Sequence, residues 1–207
     1  MLKPMDMQEF WNERYNQKEM IYGAEPNEFF RQQLEQLSPG SMLLPAEGEG
    51  RNAVYAAQQG WQVQAFDYSV VGREKALQLA AQQQVRIDYQ LTDAEYYKSA
   101  PAQFDAVALI YAHFPPALRQ RLHGQVTQWL KPGGVLVLEA FHPRQLAYTS
   151  GGPKAEAMLY TAGMLQGDFM QLRIELLQEQ EVRLNEGPYH KGAGYVTRLV
   201  ARRPSTS

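Results

Sequence analysis

The sequence predicts an α/β protein whose three-layer, doubly wound sheet has seven strands, mostly parallel with an antiparallel C-terminal strand. From residue 42 to residue 141, short apolar runs alternate with helical patterns, an arrangement typical of parallel strands joined by covering helices. Two glycines lie between the first apolar run and the helical pattern that follows it. The chain ends in two long extended segments separated by Asn185-Glu-Gly-Pro188, which indicates a strand pair joined by a loop.

Hydrophobic spacing and breaker residues predict each element in turn. Residues 1–25 combine aromatic with charged and amide residues, which predicts a short amphipathic helix and a loop, an arm outside the core. Asn27 is expected to cap a helix that runs through residue 37. The other predicted elements are strands near 42–46, 62–66, 85–89, 104–110 and 134–141, helices near 51–59, 70–83, 116–130 and 155–164, and a strand pair at 171–184 and 194–202.

Composition limits the possible functions. The chain has 207 residues, of which 44% are hydrophobic, and this size predicts a single domain over residues 1–207. Cysteine is absent, which excludes disulfides and thiolate chemistry. The net charge of −2 and the scattered basic residues argue against a nucleic-acid partner. No apolar run reaches the roughly 20 residues of a membrane span, and the N-terminus lacks a secretion signal, so a cytoplasmic location is expected.

The loop after the first predicted strand, Ala46-Glu-Gly-Glu-Gly-Arg-Asn52, has the form of a nucleotide-type cofactor site. Gly48 and Gly50 allow positive φ and a close approach of the backbone to a ligand, and the next helix turns its unpaired N–H groups to the same place. These residues fit a dinucleotide fingerprint and equally fit the glycine loop of S-adenosylmethionine enzymes. Asp67 ends the second strand, where a carboxylate can accept hydrogen bonds from both ribose hydroxyls of either cofactor.

Further motifs separate the two cofactors. Trp11-Asn-Glu-Arg-Tyr15 precedes Tyr22-Gly23, Asp93 follows the third strand, and Leu130-Lys-Pro-Gly-Gly134 leads into the fifth. Together with the glycine loop and Asp67, they resemble a class I S-adenosylmethionine-dependent methyltransferase of the small-molecule branch that includes tellurite-resistance and thiopurine methyltransferase-like enzymes. The resemblance covers nearly the whole chain. It implies a Rossmann-like methyltransferase fold and direct in-line methyl transfer to a small-molecule acceptor, with S-adenosylhomocysteine as the product.

The resemblance also implies which residues surround the cofactor and the acceptor. Asp67 would hold the ribose, Asp93 and Ala94 the adenine, and residues 110–113 would face the methionine portion. The expected cofactor-binding residues are Trp11, Tyr22, Glu47, Gly48, Gly50, Arg51, Asp67, Tyr68, Ser69, Asp93, Ala94, Ile110 and Tyr111. The variable region 143–195 is expected to border the acceptor, and its Tyr148, Tyr189 and Tyr195 are substrate-binding candidates because they offer aromatic surface and hydroxyl groups. Phe141, just before this region, is a further substrate-binding candidate.

The glycine loop departs from the family pattern at two positions. Leu44 and Ala46 stand where the family places an acid and a glycine. The missing carboxylate normally helps to hold the amino group of the cofactor. Glu47 lies in the same loop and is expected to substitute for it.

A sulfonium methyl group needs an aligned nucleophile more than a dedicated catalytic side chain. If the acceptor carries a proton, His113, His142 and His190 are the candidate bases, since each falls in a predicted loop or at a strand end. The histidine spacing matches no metal motif, so no metal is expected. Two other functions stay open, an NAD-dependent oxidoreductase and a noncatalytic cofactor-binding protein with the same fold, and the oligomeric state is not predicted.

Overall fold

A computed structural model describes residues 7–205 as a mixed sheet of seven strands in the order β3-β2-β1-β4-β5-β7-β6. The strand β7 is antiparallel to both of its neighbours, and the other pairs are parallel. This architecture confirms the predicted fold class. The elements are α1 Met7–Tyr15, α2 Glu28–Leu34, β1 Ser41–Pro45, α3 Arg51–Gln58, β2 Gln62–Asp67, α4 Val70–Gln82, β3 Asp88–Leu91, β4 Phe104–Ile110, α5 Pro116–Trp129, β5 Leu130–Phe141, α6 Ala162–Asp168, β6 Arg173–Asn185 and β7 Lys191–Arg202.

The central strands are largely apolar, as is typical of strands that helices cover on both faces of a sheet. Val107 and Leu109 of β4 pack in a core with residues of α5 and α6. Ala106 and Ala108 of the same strand face a second core that holds residues of α2, α3 and α4. Successive side chains of β4 therefore point to opposite faces of the sheet and pack into two separate hydrophobic cores.

Several boundaries differ from the predicted ones for local reasons. Helix α2 is capped by Asn27, whose side chain accepts from the N–H of Phe30, as predicted, but it ends at Leu34. Strand β3 begins at Asp88 rather than 85, since Gln84 turns the chain with φ of 57°. The helix predicted at 155–164 is wrong: a 3-10 turn at Glu156–Met158 precedes α6, which starts after Thr161 caps it through its side chain.

The segment Leu130-Lys-Pro-Gly-Gly134 belongs to β5, which starts four residues earlier than predicted. Leu130 pairs with Phe104, and the register then shifts before Val135 pairs with Ala106. Proline and glycine are therefore accommodated in an irregular stretch of the ladder.

The N-terminal arm lies over the carboxyl edge of the sheet. Its first six residues are outside the described range. Asn12 of α1 accepts a hydrogen bond from the Ser69 hydroxyl at 2.7 Å, and Glu49 accepts from the backbone N–H of Ile21 at 2.9 Å. These two bonds join the arm to the loops that follow β2 and β1. Between residues 7 and 205, no helix is long and apolar enough to cross a membrane.

Gly50 is expected to be essential to the packing of α3 on α4. It has φ of 84°, and a Cβ there would lie 2.4 Å from the Ala76 Cβ and 2.9 Å from its Cα. Gly50→Ala should therefore lower the free energy of unfolding by about 3 kcal/mol, combining left-handed strain with overpacking. Urea unfolding measures this loss.

Gly124→Ala is the matched control, because Gly124 lies in α5 with no atom within 4 Å of an added Cβ. Its helix propensity predicts a gain of about 1 kcal/mol. Equal effects of the two substitutions would contradict the packing argument.

Candidate functional site

A cavity of about 700 Å³ opens at the carboxyl edge of the sheet. This edge is where open α/β sheets bind ligands, since strand order reverses between β1 and β4 and the loops there diverge. Loops after β1, β2, β3 and β4 form one side, the arm covers it, and residues 152–158 with the β6–β7 loop close the far end. The predicted site residues that line the cavity are Trp11, Tyr22, Glu47, Arg51, Asp67, Tyr68, Asp93, Ala94, Ile110, Tyr111, His113, Phe141 and His190.

The other predicted site residues lie beside the cavity or away from it. Gly48 and Ser69 support Asp67 through their backbone N–H groups. Tyr189 is half-exposed next to Tyr22. Three predicted residues are outside the lining and contact neighbouring side chains instead. His142 lies 3.4 Å from the Glu179 carboxylate. The Tyr148 hydroxyl donates a hydrogen bond to Glu181, and the Tyr195 hydroxyl accepts one from Arg144.

Asp67 presents a buried carboxylate at the centre of the cavity wall. Its Oδ2 accepts from the N–H of Gly48 at 3.1 Å, and its Oδ1 accepts from the N–H of Ser69 at 2.8 Å. Burial raises the pKa of Asp67 to about 6, although these backbone hydrogen bonds act in the opposite direction. A carboxylate has about four acceptor sites, so Asp67 keeps capacity for a ligand that donates hydrogen bonds.

The variant glycine loop has a physical explanation. Ala46 adopts φ of 51°, in the left-handed region that favours glycine, at a cost of roughly 1–2 kcal/mol. Leu44 is fully buried in the sheet core. Glu47 lines the cavity, and its Oε1 accepts from the N–H groups of Asn52 and Ala53 at 2.9 and 2.8 Å. A carboxyl group is therefore present in the loop, but it caps the N-terminus of α3.

Tyr111 forms a fixed wall in the middle of the cavity. Its φ is 52°, a strained value for a bulky residue. The Tyr111 N–H donates to the Glu139 carbonyl, and the Tyr111 hydroxyl donates to the Glu139 carboxylate, both at 2.8 Å. The ring stacks on Phe141 with centroids 4.7 Å apart. Both ends of the residue are thus held by β5.

His113 has no free ring nitrogen. Its Nδ1 lies 2.7 Å from the Met158 carbonyl, and its Nε2 accepts from the N–H of Phe141 at 3.2 Å. Burial lowers the pKa of His113 to about 4, against the effect of the Met158 hydrogen bond. The ring is neutral at neutral pH and bridges two loops.

His142 is also committed to its neighbours. Its Nδ1 accepts from the N–H of Arg144 at 3.0 Å, and its Nε2 faces Glu179 at 3.4 Å. Burial is the largest influence on the pKa of His142 and lowers it, although Glu179 acts in the opposite direction.

His190 comes from the loop between β6 and β7 and lies in an aromatic enclosure. Its ring centroid is 4.4 Å from that of Tyr22, 4.6 Å from Tyr111 and 5.3 Å from Phe141. Its Nδ1 is 3.5 Å from Oε2 of Glu186. Of the three candidate histidines, His190 alone combines a place in the cavity lining with a ring that the surrounding backbone does not occupy.

The sequence did not predict a network of hydrogen bonds and an ion pair among polar residues next to the cavity. Arg51 is bound to Glu186 at 2.7 Å and to the Tyr22 carbonyl at 2.9 Å. The Asn27 amide donates to both Glu186 and Glu139 at 2.9 and 2.7 Å. These partners are up to 159 positions apart in the chain, so spacing gave no signal, except that Glu186 precedes His190 by four residues.

Comparison with known proteins agrees with this geometry. A family model described as a methyltransferase domain matches residues 45–134, from the end of β1 into β5. No curated protein sequence matches the chain. The family match over residues 45–134 and the shared fold support the predicted S-adenosylmethionine-dependent methyltransferase over the oxidoreductase interpretation.

Solved structures share the fold at low identity. One, described under the conversion of a disulfide bond into a thioacetal group during echinomycin biosynthesis, has a TM-score of 0.78 and 18% identity, covering 98% of this chain and 94% of its own. TehB from Haemophilus influenzae has a TM-score of 0.70 and 12% identity over 95% and 66% of the two chains. The [4+2]-cyclase SpnF has a TM-score of 0.68 and 18% identity over 90% and 88%.

Glu47 should make stability pH-dependent in the absence of ligand. Burial raises its pKa from 4.5 to about 7, so the folded protein retains a proton that the unfolded chain loses. Stability should therefore fall as pH rises from about 4.5 to about 7. Glu47→Gln keeps an acceptor for the α3 N–H groups without this titration.

The free energy of unfolding of Glu47→Gln minus that of the wild type should increase by about 3 kcal/mol between pH 4 and pH 8. Urea unfolding across this range measures the effect. Parallel pH profiles for the two proteins would show that Glu47 ionises without cost in the folded state.

Proposed function

We propose that this methyltransferase transfers the methyl group of S-adenosylmethionine directly to a small molecule bound in the same cavity, and that S-adenosylhomocysteine is released. The observation that supports this most is the continuity of the cavity, whose lining extends from Asp67 and Asp93 to Phe141 and His190. Its volume of about 700 Å³ is within the range of small-molecule sites. One space can therefore hold a nucleoside cofactor and a small acceptor side by side.

The chemistry of the residues present fits the cofactor. Asp67 would accept the ribose hydroxyls, and Gly48 and Ser69 hold its carboxylate in place. Asp93 and Ala94 would meet the adenine, beside Tyr68 and Ile110. Glu47 would face the amino-acid portion together with the backbone of Gly48 and Gly50.

The arm would exclude water from the bound cofactor. Trp11 stacks on Tyr15 with centroids 5.3 Å apart, and both line the cavity. Tyr22 connects this aromatic group to His190 at the far end. Aromatic faces also attract a sulfonium cation, so the arm suits this ligand.

The acceptor end would orient the nucleophile for in-line displacement. Tyr111 and Phe141 provide rigid aromatic walls, and Gly152, Pro153 and Met158 complete the surface. When bound, S-adenosylmethionine supplies a methyl group that is already electrophilic, and proximity and orientation contribute on the order of 7–11 kcal/mol in favourable cases. The structural neighbours are described with different chemistries on one fold, so the acceptor is proposed from the cavity.

Isothermal titration calorimetry with S-adenosylhomocysteine tests the cofactor assignment. Saturable binding is expected, and NAD(H) should give no thermal stabilisation. Transfer from deuteromethyl S-adenosylmethionine to a panel of thiols, phenols and amines, followed by mass spectrometry, then tests catalysis. Any such product would remove the noncatalytic alternative, and absence of cofactor binding at millimolar concentration would remove the proposal.

Asp67→Asn should weaken the binding of S-adenosylhomocysteine at least tenfold, because hydrogen bonds to a charged group contribute about 1.5–3 kcal/mol. Calorimetry measures the change. Asp105→Asn is the matched control, since Asp105 starts β4 at the opposite edge of the sheet and binds Lys131 and Ser41. Equal affinity in the Asp67 variant and the wild type would place the ribose elsewhere.

A further inference from the structure

We propose that His190 takes the proton of the methyl acceptor, that Glu186 positions the His190 ring, and that the acceptor is consequently a protic molecule with an apolar body, reacting at a thiol, hydroxyl or N–H group. The inference rests on the proposed function and specifies its substrate class. It assigns the loop between β6 and β7 a role in the reaction.

The β6–β7 loop is held against the arm at close range. Gly187 has φ of 80°, and a Cβ there would lie 2.5 Å from the backbone N of Gly23. The Tyr189 N–H donates to the Ile21 carbonyl at 3.3 Å, and the Glu186 N–H donates to the His190 carbonyl at 2.8 Å. The loop therefore carries Glu186 and His190 on a fixed turn, four residues apart, into the wall of the cavity.

His190 is buried, with only 4% of the residue exposed. Its Nδ1 is enclosed and makes no hydrogen bond of ordinary geometry, but the Glu186 carboxylate lies 3.5 Å away on that side. A proton on Nδ1 directed at Glu186 leaves the Nε2 lone pair free on the other edge of the ring. Hydrogen bonds between catalytic groups are often long without substrate and shorten in the complex.

Glu186 is itself held in a fixed orientation. Its Oε2 is bound by Arg51 at 2.7 Å, and its Oε1 accepts from Asn27 at 2.9 Å. Burial favours the neutral acid, but the interaction with the nearby His190 ring and the charge of Arg51 outweigh it and lower the pKa of Glu186 to about 2. A permanent carboxylate thus faces the ring and stabilises the imidazolium that proton uptake creates.

Four other acid–base groups in the cavity wall already have hydrogen-bond partners in the protein. His113 uses both ring nitrogens. The Tyr111 hydroxyl donates to Glu139, and burial followed by the charge of Glu139 raises its pKa well above 10. Glu47 caps α3, and Asp67 binds two backbone N–H groups.

The charge state of His190 agrees with a base. Burial lowers its pKa below the usual histidine value, although Glu186 acts in the opposite direction. The ring is therefore neutral at neutral pH and able to accept a proton. The titratable groups that surround it are Glu186 and Tyr189 on its own loop, Arg14 and Tyr22 on the arm, Arg51 on α3, and Tyr111 and His113 after β4.

The step balances without a further reactant. A lone pair of the acceptor atom forms the new bond to the methyl carbon, and the carbon–sulfur bond breaks with its electron pair going to sulfur. The acceptor proton moves to Nε2 of His190, which becomes an imidazolium beside Glu186. A tertiary amine would leave no proton to transfer, so the dyad indicates a protic acceptor.

Two probe thiols of similar size test the role of His190. Benzyl mercaptan is protonated at pH 7, whereas 4-nitrothiophenol is already a thiolate. His190→Gln should slow the methylation of benzyl mercaptan by about 100-fold or more, the usual contribution of a general base, and that of 4-nitrothiophenol by less than about threefold. A purely structural role would slow both equally, and that result, or no effect on either, would overturn the proposal.

His142→Gln is the matched control, because the His142 ring lies outside the cavity, and it should methylate both probes at the wild-type rate. S-adenosylhomocysteine should bind His190→Gln within about threefold of the wild-type affinity. If the wild-type protein binds the cofactor and methylates only pyridine, whose nitrogen bears no proton, the assignment of a protic acceptor is overturned. Absence of cofactor binding in the wild type would instead overturn the proposed function, and this inference with it.

Glu186 is tested by a readout that needs no acceptor. Long-range proton–nitrogen NMR of the wild type with S-adenosylhomocysteine bound should show His190 as the Nδ1–H tautomer, and Glu186→Gln should reduce that population. In the same variant, kcat for benzyl mercaptan should fall at least tenfold. The acidic limb of the pH profile of kcat should move to lower pH in this variant, because loss of the Glu186 carboxylate removes an interaction that raises the pKa of His190. An Nε2–H tautomer in the wild type, or an unmoved pH profile, would exclude Glu186 as the positioning residue.

Discussion

The buried ion pair between Arg51 and Glu186 joins the start of α3, next to the glycine loop, to the loop between β6 and β7. The partners are 7% and 13% exposed and lie 2.7 Å apart. Arg51 is the first residue of α3 and also donates to the Tyr22 carbonyl of the arm. Glu186 lies in the β6–β7 loop and accepts a hydrogen bond from Asn27. Removing one member of such a pair costs about 3–5 kcal/mol, because the other is left charged and buried. The arm that covers the cavity and the β6–β7 loop in the cavity wall both depend on this contact.

The glycine loop shows how a site can keep its geometry while its residues change. The acid expected at position 44 is replaced by Leu44, which adds to the core. Ala46 keeps the left-handed backbone that glycine would adopt freely. The Glu47 carboxylate accepts hydrogen bonds from N–H groups at the N-terminus of α3, where the helix dipole favours its negative charge. Burial opposes that charge, and the two effects leave the pKa of Glu47 near neutrality.

Much of the fold could be predicted from local patterns because parallel strands buried on both faces are short and continuously apolar. Ala106–Ile110 of β4 is such a run, and both β4 and β2 were located within one residue. The start of β5 was missed because Pro132 and two glycines suggested a turn, whereas pairing of Leu130 with Phe104 extends the ladder through them. The helix at 155–164 was misplaced because the cap at Thr161 competes with the hydrophobic pattern.

By itself the sequence determined that the chain has a nucleotide-type cofactor site, because the glycine loop and Asp67 lie close together in the chain and their chemistry follows from residue type and local backbone. Only the tertiary structure distinguished the three candidate histidines, since His113 and His190 differ in their distant neighbours. The partner of His113 is Met158, 45 residues away, whereas Glu186 shares its oxygen between Arg51 and the edge of His190. A free ring nitrogen depends on what the rest of the fold brings to it, and a sequence pattern carries no record of contacts that far apart.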